Sequence, residues 1–238
     1  MKIIAVIPAR LASMRLPRKM LREIHGKPLV VLVYQSVRAS ALLEEVIVAT
    51  DSEEILAACE KHRCKARMTS DKHRSGTERV HEVSQSVAAD VYFNVQGDEP
   101  MIRADHIEVL ARLMRNPDVP VGTLKTVAAA EDISNPNAVK VVVDTNQRAL
   151  YFSRSTVPYD RDGSNPKYFK HLGIYAYRKP YLEKFVTLPE SSLERAERLE
   201  QLRFLENGIP IYVAETAYDS IGVDTEEDFL RVSKLLAK

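Results

Sequence analysis

The chain alternates between short β-branched apolar runs and longer stretches with helical spacing, and this alternation limits the fold more than any other feature. The apolar runs lie at residues 1–6, 45–50, 91–95 and 139–143. The helical spacing occurs at residues 29–40, 51–61, 77–87 and 105–114. Strands that alternate with helices predict an α/β fold whose sheet is parallel and has helices on both faces. Because ligands bind at the carboxyl ends of strands in such sheets, functional residues are expected directly after the strands.

The pattern changes from about residue 149 onward. A polar loop at 160–167 precedes a strand-like run at 171–178, and helices are predicted at 192–206 and 225–236. A chain of 238 residues with 45% hydrophobic content can bury one large core. We therefore interpret 1–238 as a single domain in which residues 149–210 form a smaller lobe that faces the substrate.

The charge balance argues against polyanionic partners. Lys and Arg number 34 against 33 Asp and Glu, which leaves a formal net charge of +1. Such a chain has no overall field that would draw it to nucleic acid or to an anionic membrane. Its apolar runs are too short for a transmembrane helix or a signal peptide, so we expect a cytoplasmic protein.

Basic side chains cluster in the loop after the first predicted strand. Within ten residues the loop carries Arg10, Arg15, Arg18 and Lys19. Arginine pairs with phosphate oxygens through its planar guanidinium and lysine adds a point charge, so this loop predicts a phosphate site. The first glycine of the chain is Gly26, which excludes a Walker A loop and a dinucleotide fingerprint here. A solvated basic loop is the alternative interpretation.

Two acidic segments are candidates for a metal site. Asp98 lies in a Gly-Asp-Glu-Pro turn directly after the run at 91–95, and Mg²⁺ prefers such carboxylate oxygens together with phosphate oxygens. Asp224 precedes the last predicted helix, where Thr225 is a natural N-cap. A plain turn at Asp98 and a plain helix cap at Asp224 remain the alternatives.

A third motif combines small polar residues before a predicted helix. Residues 69–79 include His73, Ser75, Gly76 and Thr77. Backbone and hydroxyl groups of this kind can hydrogen-bond to the edge of a nucleotide base, whereas the alternative is an ordinary Ser/Thr capping turn.

A resemblance to a known family rests on these motifs taken in order. They are Ile-Pro-Ala-Arg at 7–10, Arg-Leu-Pro at 15–17, Ser-Gly-Thr-Glu-Arg at 75–79 and Asn-Val-Gln-Gly-Asp-Glu-Pro at 94–100. Five further motifs lie at 135–140, 151–154, 171–175, 199–203 and 222–225. Together they resemble the 3-deoxy-manno-octulosonate cytidylyltransferase (CMP-KDO synthetase) family over nearly the whole chain.

The resemblance implies a fold, a reaction and a partner. The fold is a glycosyltransferase-A-like, Rossmann-like three-layer α/β sandwich with a mostly parallel central sheet, and the lobe at 149–210 would bind the sugar and form a homodimer. The reaction joins CTP and 3-deoxy-manno-octulosonate (KDO), or its 8-amino analogue, into a CMP-sugar and pyrophosphate with Mg²⁺ as cofactor. The product would feed lipopolysaccharide assembly.

The resemblance also implies roles for individual residues. The catalytic set is Lys19, Asp98 and Arg15. The nucleotide-binding set is Ala9, Arg10, Ser13, Arg15, Lys19, His73, Ser75, Gly76 and Gln96. The sugar-binding set is Arg154, His171, Tyr175, Glu200 and Gln201. The metal ligands are Asp98 and Asp224.

The sequence departs from the family pattern at residues 218–221, where the approach to Asp224 lacks the expected glycine and proline. Two other functions stay open at this point. One is a cytidylyltransferase for another acidic sugar, such as sialic acid. The other is a nucleotide-binding regulator without catalysis.

Overall fold

A computed structural model describes residues 1–13 and 15–237 of the chain. The strands are β1 (Ile3–Ala9), β2 (Glu23–Ile24), β3 (Lys27–Pro28), β4 (Glu45–Thr50), β5 (Ala66–Met68), β6 (Val91–Asn94), β7 (Val121–Val127), β8 (Lys140–Val143), β9 (Ala149–Ser153), β10 (Phe169–Arg178) and β11 (Ile211–Glu215). The α-helices are α1 (Leu29–Arg38), α2 (Glu53–Lys61), α3 (Gly76–Ser84), α4 (Ala104–Leu113), α5 (Ala130–Ile133), α6 (Lys179–Thr187), α7 (Ser192–Glu197), α8 (Leu202–Glu206) and α9 (Glu226–Leu235). A short 3₁₀ helix spans Lys19–Leu21.

The strands form a mostly parallel central sheet, as the sequence predicts. Its order is β11-β7-β10-β6-β1-β4-β5. The pairs β11/β7, β6/β1, β1/β4 and β4/β5 are parallel, whereas β10 runs antiparallel to both of its neighbours. Helices cover both faces, which confirms the three-layer α/β sandwich.

One predicted core strand has a different place in the sheet. The run at 139–143 contains β8, which pairs antiparallel with β9 and β10 instead of joining the parallel series. Its connection to β9 is a tight turn in which the Asp144 carboxylate accepts hydrogen bonds from the backbone N–H groups of Asn146 and Arg148. A turn this short can join only antiparallel strands, because parallel pairing needs a long crossover.

Each face of the sheet has its own hydrophobic core. One core packs α1, α2 and α4 against side chains of β1 and β4, while the other packs α3, α6 and α8 against side chains of β6 and β10. The parallel register places the ends of neighbouring strands side by side, with Ala9 opposite Thr50 and Val6 opposite Asn94. Loops that follow β1 and β6 therefore open at the same edge.

A third, smaller core joins the two ends of the chain. Leu16 in the basic loop and Val223 before α9 are both buried, and they pack with Phe229 and Val232 of α9. Burying apolar side chains of this size stabilises the contact by roughly 1.5–3 kcal/mol each. This core holds the basic loop against the segment that carries Asp224.

The helix predicted over 192–206 is in fact two short helices. Arg198 adopts the left-handed conformation with φ 55°, which ends α7 and leaves residues 199–201 outside both helices. The guanidinium of Arg203 in α8 donates to the Glu194 carboxylate in α7 at 2.7 and 2.5 Å. This buried ion pair fixes the angle between the helices, so the prediction of one continuous amphipathic helix is wrong.

The predicted lobe is continuous with the rest of the molecule. Residues 149–210 include β10, which lies inside the central sheet between β6 and β7. Within residues 1–13 and 15–237, no helix combines the length and the apolar character needed to cross a membrane.

Candidate active site

Two cavities open at the carboxyl ends of the central strands. The first cavity, of about 630 Å³, is lined by residues of the loop after β1, the start of α3 and the turn after β6. Its lining includes Ala9, Arg10, Ser13, Arg15, Lys19, His73, Ser75, Gly76 and Gln96. The structure therefore brings the whole predicted nucleotide-binding set together around one space.

The second cavity, of about 640 Å³, lies beside the first. Four of the predicted sugar-binding residues line it: His171, Tyr175, Glu200 and Gln201. A shared wall separates the two cavities and contains Arg15, Gln96, Asp98, Glu200 and Asp224. Molecules bound in the two cavities would meet at this wall.

The shared wall contains a compact network of opposite charges. The Lys19 ammonium lies 2.5 Å from Asp98 Oδ2 and 2.9 Å from Asp224 Oδ1, and the Arg15 guanidinium lies 2.9 Å from Asp224 Oδ2. Lys19 is only 7% exposed. A buried ammonium is costly unless anions surround it, so the two acids stabilise Lys19 in this position.

Burial and ion pairing act in opposite directions on these groups. Burial works to lower the pKa of Lys19, but Asp98 and then Asp224 outweigh it, and the pKa is raised. For Asp224, burial works to raise the pKa, and Lys19 followed by Arg15 lowers it below its ordinary value. Both groups are therefore held in their charged forms at neutral pH.

The two acids fit the needs of a hard divalent cation. Their carboxylates come from the turn after β6 and from the segment before α9, yet oxygens of both lie within 2.9 Å of one ammonium nitrogen. That convergence is the donor arrangement that Mg²⁺ uses when it takes one or two carboxylates together with substrate phosphate oxygens.

Thr225 and Asp224 have separate roles at the start of α9. Thr225 Oγ1 accepts from the Asp228 backbone N–H at 3.1 Å and is the N-cap. Asp224 turns toward Lys19 instead, so the helix cap is Thr225 and the Asp224 carboxylate faces the shared wall.

The segment before Asp224 is held by polar contacts instead of glycine or proline. The backbone N–H of Val223 donates to the Asp98 carbonyl at 2.8 Å. Ser220 Oγ donates to Glu99 Oε2 at 2.8 Å, and the Tyr218 carbonyl lies 3.0 Å from His106 Nε2. These contacts give a physical reason for the unusual sequence at 218–221.

Glu99 is a site residue that the sequence predictions missed. It lines the second cavity, and burial followed by the neighbouring Asp98 charge raises its pKa to about 7. Its Oε1 lies 2.9 Å from the position that a Cβ on Gly173 would occupy. A side chain at position 173 would therefore displace Glu99.

Gly97 is required by a close approach of two backbone segments. A Cβ at this position would lie 2.9 Å from the carbonyl oxygen of Pro8 in β1. The turn that carries Asp98 can therefore pack against the end of β1, next to the basic loop, only with glycine here.

The predicted base-reading residues lie at the start of α3. Ser75 is the N-cap, and its hydroxyl accepts from the Glu78 backbone N–H at 3.3 Å. His73 hydrogen-bonds to the Glu82 carboxylate. Capping and nucleotide contact are compatible here, because Ser75 and Gly76 also line the first cavity.

Three buried polar atoms in the second cavity have no hydrogen-bond partner among the described residues. They are Tyr175 Oη, Glu200 Oε2 and Gln201 Nε2. Leaving one such group unpaired costs about 1–3 kcal/mol, so each of the three atoms would gain from a partner that a ligand or an ordered water can supply. Two donors and one acceptor suit a molecule that carries several hydroxyl groups.

His171 also belongs to the second cavity and is neutral. Burial lowers its pKa to about 3. Thr123 Oγ1 lies 2.7 Å from the Ile174 carbonyl and donates to it, so the same oxygen accepts from His171 Nε2–H at 3.0 Å. The other ring nitrogen, Nδ1, remains as a hydrogen-bond acceptor.

Arg154, the fifth predicted sugar-binding residue, is not part of the described lining of either cavity. Its guanidinium donates to the carbonyl oxygens of Glu197 at 2.7 Å and Pro136 at 3.0 Å. The cationic side chains that line the second cavity are Arg15, Lys170, Arg198 and Arg231.

Comparisons with known proteins agree with this geometry. The model of a family described as "Cytidylyltransferase" matches residues 4–215. The 3-deoxy-manno-octulosonate cytidylyltransferase of Koribacter versatilis is 65% identical over 99% of this chain and 90% of that protein. The Escherichia coli protein of the same description is 47% identical over 100% of this chain and 97% of its own.

A solved structure gives the same result at the level of the fold. It is described as a CMP:2-keto-3-deoxy-manno-octonic acid synthetase complexed with CTP, with a TM-score of 0.96 and 47% identity. The match covers 100% of this chain and 99% of the other.

Proposed function

We propose that this chain, which belongs to the 3-deoxy-manno-octulosonate cytidylyltransferase family, transfers CMP from CTP to the anomeric hydroxyl of KDO and releases pyrophosphate. The observation that carries the proposal is the shared wall between the two cavities. A triphosphate in the first cavity and a polyhydroxylated acid in the second would meet beside Lys19, Asp98 and Asp224. Full-length relatives with this activity in their descriptions support KDO over sialic acid and over a regulator without catalysis.

The basic loop would hold the nucleotide by its phosphates. Arg10, Arg15 and Lys19 line the first cavity, and phosphate oxygens can replace the carboxylates that now pair with Arg15 and Lys19. Ser75, Gly76 and Gln96 lie across the cavity, where they would contact the cytidine. Charge-assisted hydrogen bonds are about twice as strong as neutral ones, so the phosphates supply most of the affinity.

The chemical step needs alignment and charge neutralisation. The oxygen of the sugar hydroxyl attacks the α-phosphorus and forms a new P–O bond. The bond between the α-phosphorus and the oxygen that bridges to the β-phosphate breaks, pyrophosphate leaves with that oxygen, and the hydroxyl proton passes to solvent water. Lys19 and Arg15 would stabilise the negative charge that builds up on the departing pyrophosphate.

Asp98 and Asp224 would hold a magnesium ion as the cofactor. When bound, Mg²⁺ neutralises phosphate charge and orients the phosphate oxygens. In the free chain Lys19 pairs with both acids and Arg15 pairs with Asp224, so two cations face two carboxylates. We expect chelation by EDTA to abolish turnover and added Mg²⁺ to restore it, with metal binding measured independently by calorimetry on the purified chain.

The second cavity would bind the acceptor sugar. Tyr175, Glu200 and Gln201 offer buried atoms without partners, and neutral His171 offers one acceptor nitrogen. The cationic side chains that line this cavity would pair with the carboxylate of the sugar. Arg154 would support this site indirectly, since its guanidinium is occupied by two backbone carbonyls.

Product analysis tests the proposed function directly. Purified chain with CTP and Mg²⁺ is incubated separately with KDO, its 8-amino analogue and sialic acid, and pyrophosphate release is measured. We expect pyrophosphate release with KDO. The rate with the 8-amino analogue then shows which of the two sugars the chain prefers. Release with sialic acid alone would refute the assignment, and CTP binding without release from any sugar would favour the regulator.

The remaining family expectations are a homodimer, a cytoplasmic location and a place in lipopolysaccharide assembly. The dimer is testable by analytical ultracentrifugation of the full chain, which should show a mass of twice 26.9 kDa. A monomer at micromolar concentration would contradict it.

A further inference from the structure

A row of hydrogen-bonded polar side chains runs behind the shared wall of the two cavities. It begins at Gln96, whose Nε2 lies 3.4 Å from Asn94 Oδ1, and continues from Asn94 Nδ2 to Thr77 Oγ1 at 3.2 Å. Thr77 Oγ1 then lies 2.6 Å from Glu200 Oε1. Neither Asn94 nor Thr77 lines a cavity, and both are fully buried.

The donors and acceptors of the four side chains give this row of hydrogen bonds one direction. The Asn94 amide N–H donates to Thr77 Oγ1, so the single proton of the Thr77 hydroxyl is free to be donated onward. Glu200 Oε1 at 2.6 Å is closer than Tyr177 Oη at 3.4 Å, and a carboxylate oxygen is the stronger acceptor. Donation therefore runs from Gln96 through Asn94 and Thr77 to Glu200.

Glu200 depends on this contact for its position. It lies in the turn between α7 and α8, where its carbonyl accepts from the Arg203 backbone N–H at 3.1 Å. That bond holds the backbone, and the Thr77 hydroxyl holds the carboxylate. Burial raises the pKa of Glu200, and hydrogen bonds from Thr77 and then Ser75 counteract that shift. With Oε1 held by Thr77, Oε2 is the atom left buried without a partner.

Loss of the Thr77 hydroxyl would leave two buried groups without partners. The Asn94 amide would lose its acceptor and Glu200 Oε1 its donor, and a buried group left unsatisfied is more costly than a missing surface bond. The Glu200 carboxylate would then no longer be held in one orientation at the shared wall.

We propose that Thr77, itself held by Asn94, is a positioning residue that orients the Glu200 carboxylate for the acceptor sugar. The inference rests on the proposed function, because the occupant of the second cavity is the acceptor of the CMP group.

The test compares Thr77→Val with Thr77→Ser in the full chain. Valine keeps the shape but removes the hydroxyl, whereas serine keeps the hydroxyl. We expect Thr77→Val to raise the KM for KDO about tenfold or more while the KM for CTP changes by less than about threefold, and Thr77→Ser to restore values near wild type. Equal increases in both KM values, or no rescue by serine, would overturn the proposal.

A double-mutant cycle separates positioning from general loosening of the fold. If Thr77 acts through Glu200, Thr77→Val should have little further effect on the KM for KDO in a Glu200→Ala background. An undiminished effect in that background would refute the proposal. Should Thr77→Val fail to fold, Thr77→Ala serves in the same cycle, because it removes the hydroxyl with less crowding.

Failure of the inference differs from failure of the proposed function. If the wild-type chain turns over KDO and both Thr77 variants have the same KM values as the wild type, only the positioning role is refuted. Wild-type chain that releases no pyrophosphate with KDO refutes the function itself.

Discussion

The two cavities are built on opposite physical principles. In the first cavity, charged groups such as Lys19, Arg15 and Asp224 already pair with one another, and a ligand must exchange partners with them. In the second cavity, Tyr175, Glu200 and Gln201 each present one buried polar atom that has no hydrogen-bond partner among the described residues. These three charged groups are therefore paired before a ligand arrives, whereas the three buried polar atoms are not.

This difference determines how each site should respond to substitution. Removing a charge from the first cavity leaves its former partner uncompensated, which is costly when that partner is partly buried. Removing a polar atom from the second cavity leaves only the substrate without a partner. We therefore expect larger and less selective losses in the first cavity, and smaller losses confined to one substrate in the second.

The largest effect is expected for Asp98→Ala. The variant lacks one of the two proposed metal carboxylates, so turnover should fall by about 10²–10³-fold or more, the scale of losing one preorganised charge-stabilising group. CTP binding, measured by calorimetry, should remain detectable because the basic loop is intact. Glu108→Ala, a half-exposed acid on α4, is the matched control. If the Asp98→Ala enzyme is active, Asp98 does not hold a metal ion that the reaction needs.

Lys19→Ala should have the next largest effect. It removes a phosphate contact and also the cation that neutralises Asp98 and Asp224. We expect kcat/KM for CTP to fall by about tenfold to 10²-fold, with a smaller change in the KM for the sugar. Lys27→Ala on the β2-β3 hairpin provides the control. Unchanged kinetics would mean that Lys19 serves only the fold.

Gln201→Leu should separate the two cavities. Its buried Nε2 has no protein partner, so the substitution costs the fold little but leaves a substrate acceptor unpaired. The KM for KDO should rise about tenfold while the KM for CTP stays within about twofold. Gln85→Leu makes the same change at an exposed position. Equal increases for both substrates would contradict the division into two sites.

Ser220→Ala should produce a modest loss. Ser220 donates to Glu99, and this bond helps to hold the segment that ends at Asp224. A net loss of one hydrogen bond predicts a decrease in kcat of about two- to tenfold, together with a weaker response to Mg²⁺ in a titration. Ser164→Ala in the exposed loop should behave as wild type. A Ser220→Ala enzyme with unchanged Mg²⁺ dependence would show that the tether is dispensable.

The smallest effect concerns the pH dependence of stability. The buried, neutral His171 has a pKa of about 3, against an ordinary value of 6.5. Between these values the unfolded chain binds a proton here that the folded chain does not, so the free energy of unfolding falls as pH falls through this window. His171→Gln should therefore lose less stability between pH 7 and pH 5 in denaturant titrations. Parallel curves would contradict this.

The alternating pattern of the chain predicted β1, β4 and β6 together with the loops that follow them, whereas β5, β7 and β9 were not predicted. Four basic residues after β1 and an acid after β6 predicted where the first cavity would lie, because parallel strands end at one edge whatever their side chains are. The antiparallel β8 was not predicted correctly. Its β-branched run is the same in both orientations, and only the short turn to β9 decides between them.

The family resemblance identified most residues of the second cavity, but local pattern alone would not have found them. Glu200 and Gln201 follow a helical spacing that predicts a solvated face, yet Gln201 is 4% exposed. The reason is the left-handed turn at Arg198, a backbone state that the sequence does not signal in a residue other than glycine or asparagine. Glu99, Asn94 and Thr77 carry no local signal for their roles either.

The sequence by itself determined the core strands β1, β4 and β6, the helices between them, the basic loop and the acids, since these depend on local periodicity and on residue type at strand ends. Only the tertiary structure decided that Lys19 joins two acids 79 and 205 residues away, and that Thr77 reaches Glu200 across 123 residues. Such contacts depend on how separate elements pack, and the desolvation that makes them strong exists only in the folded chain.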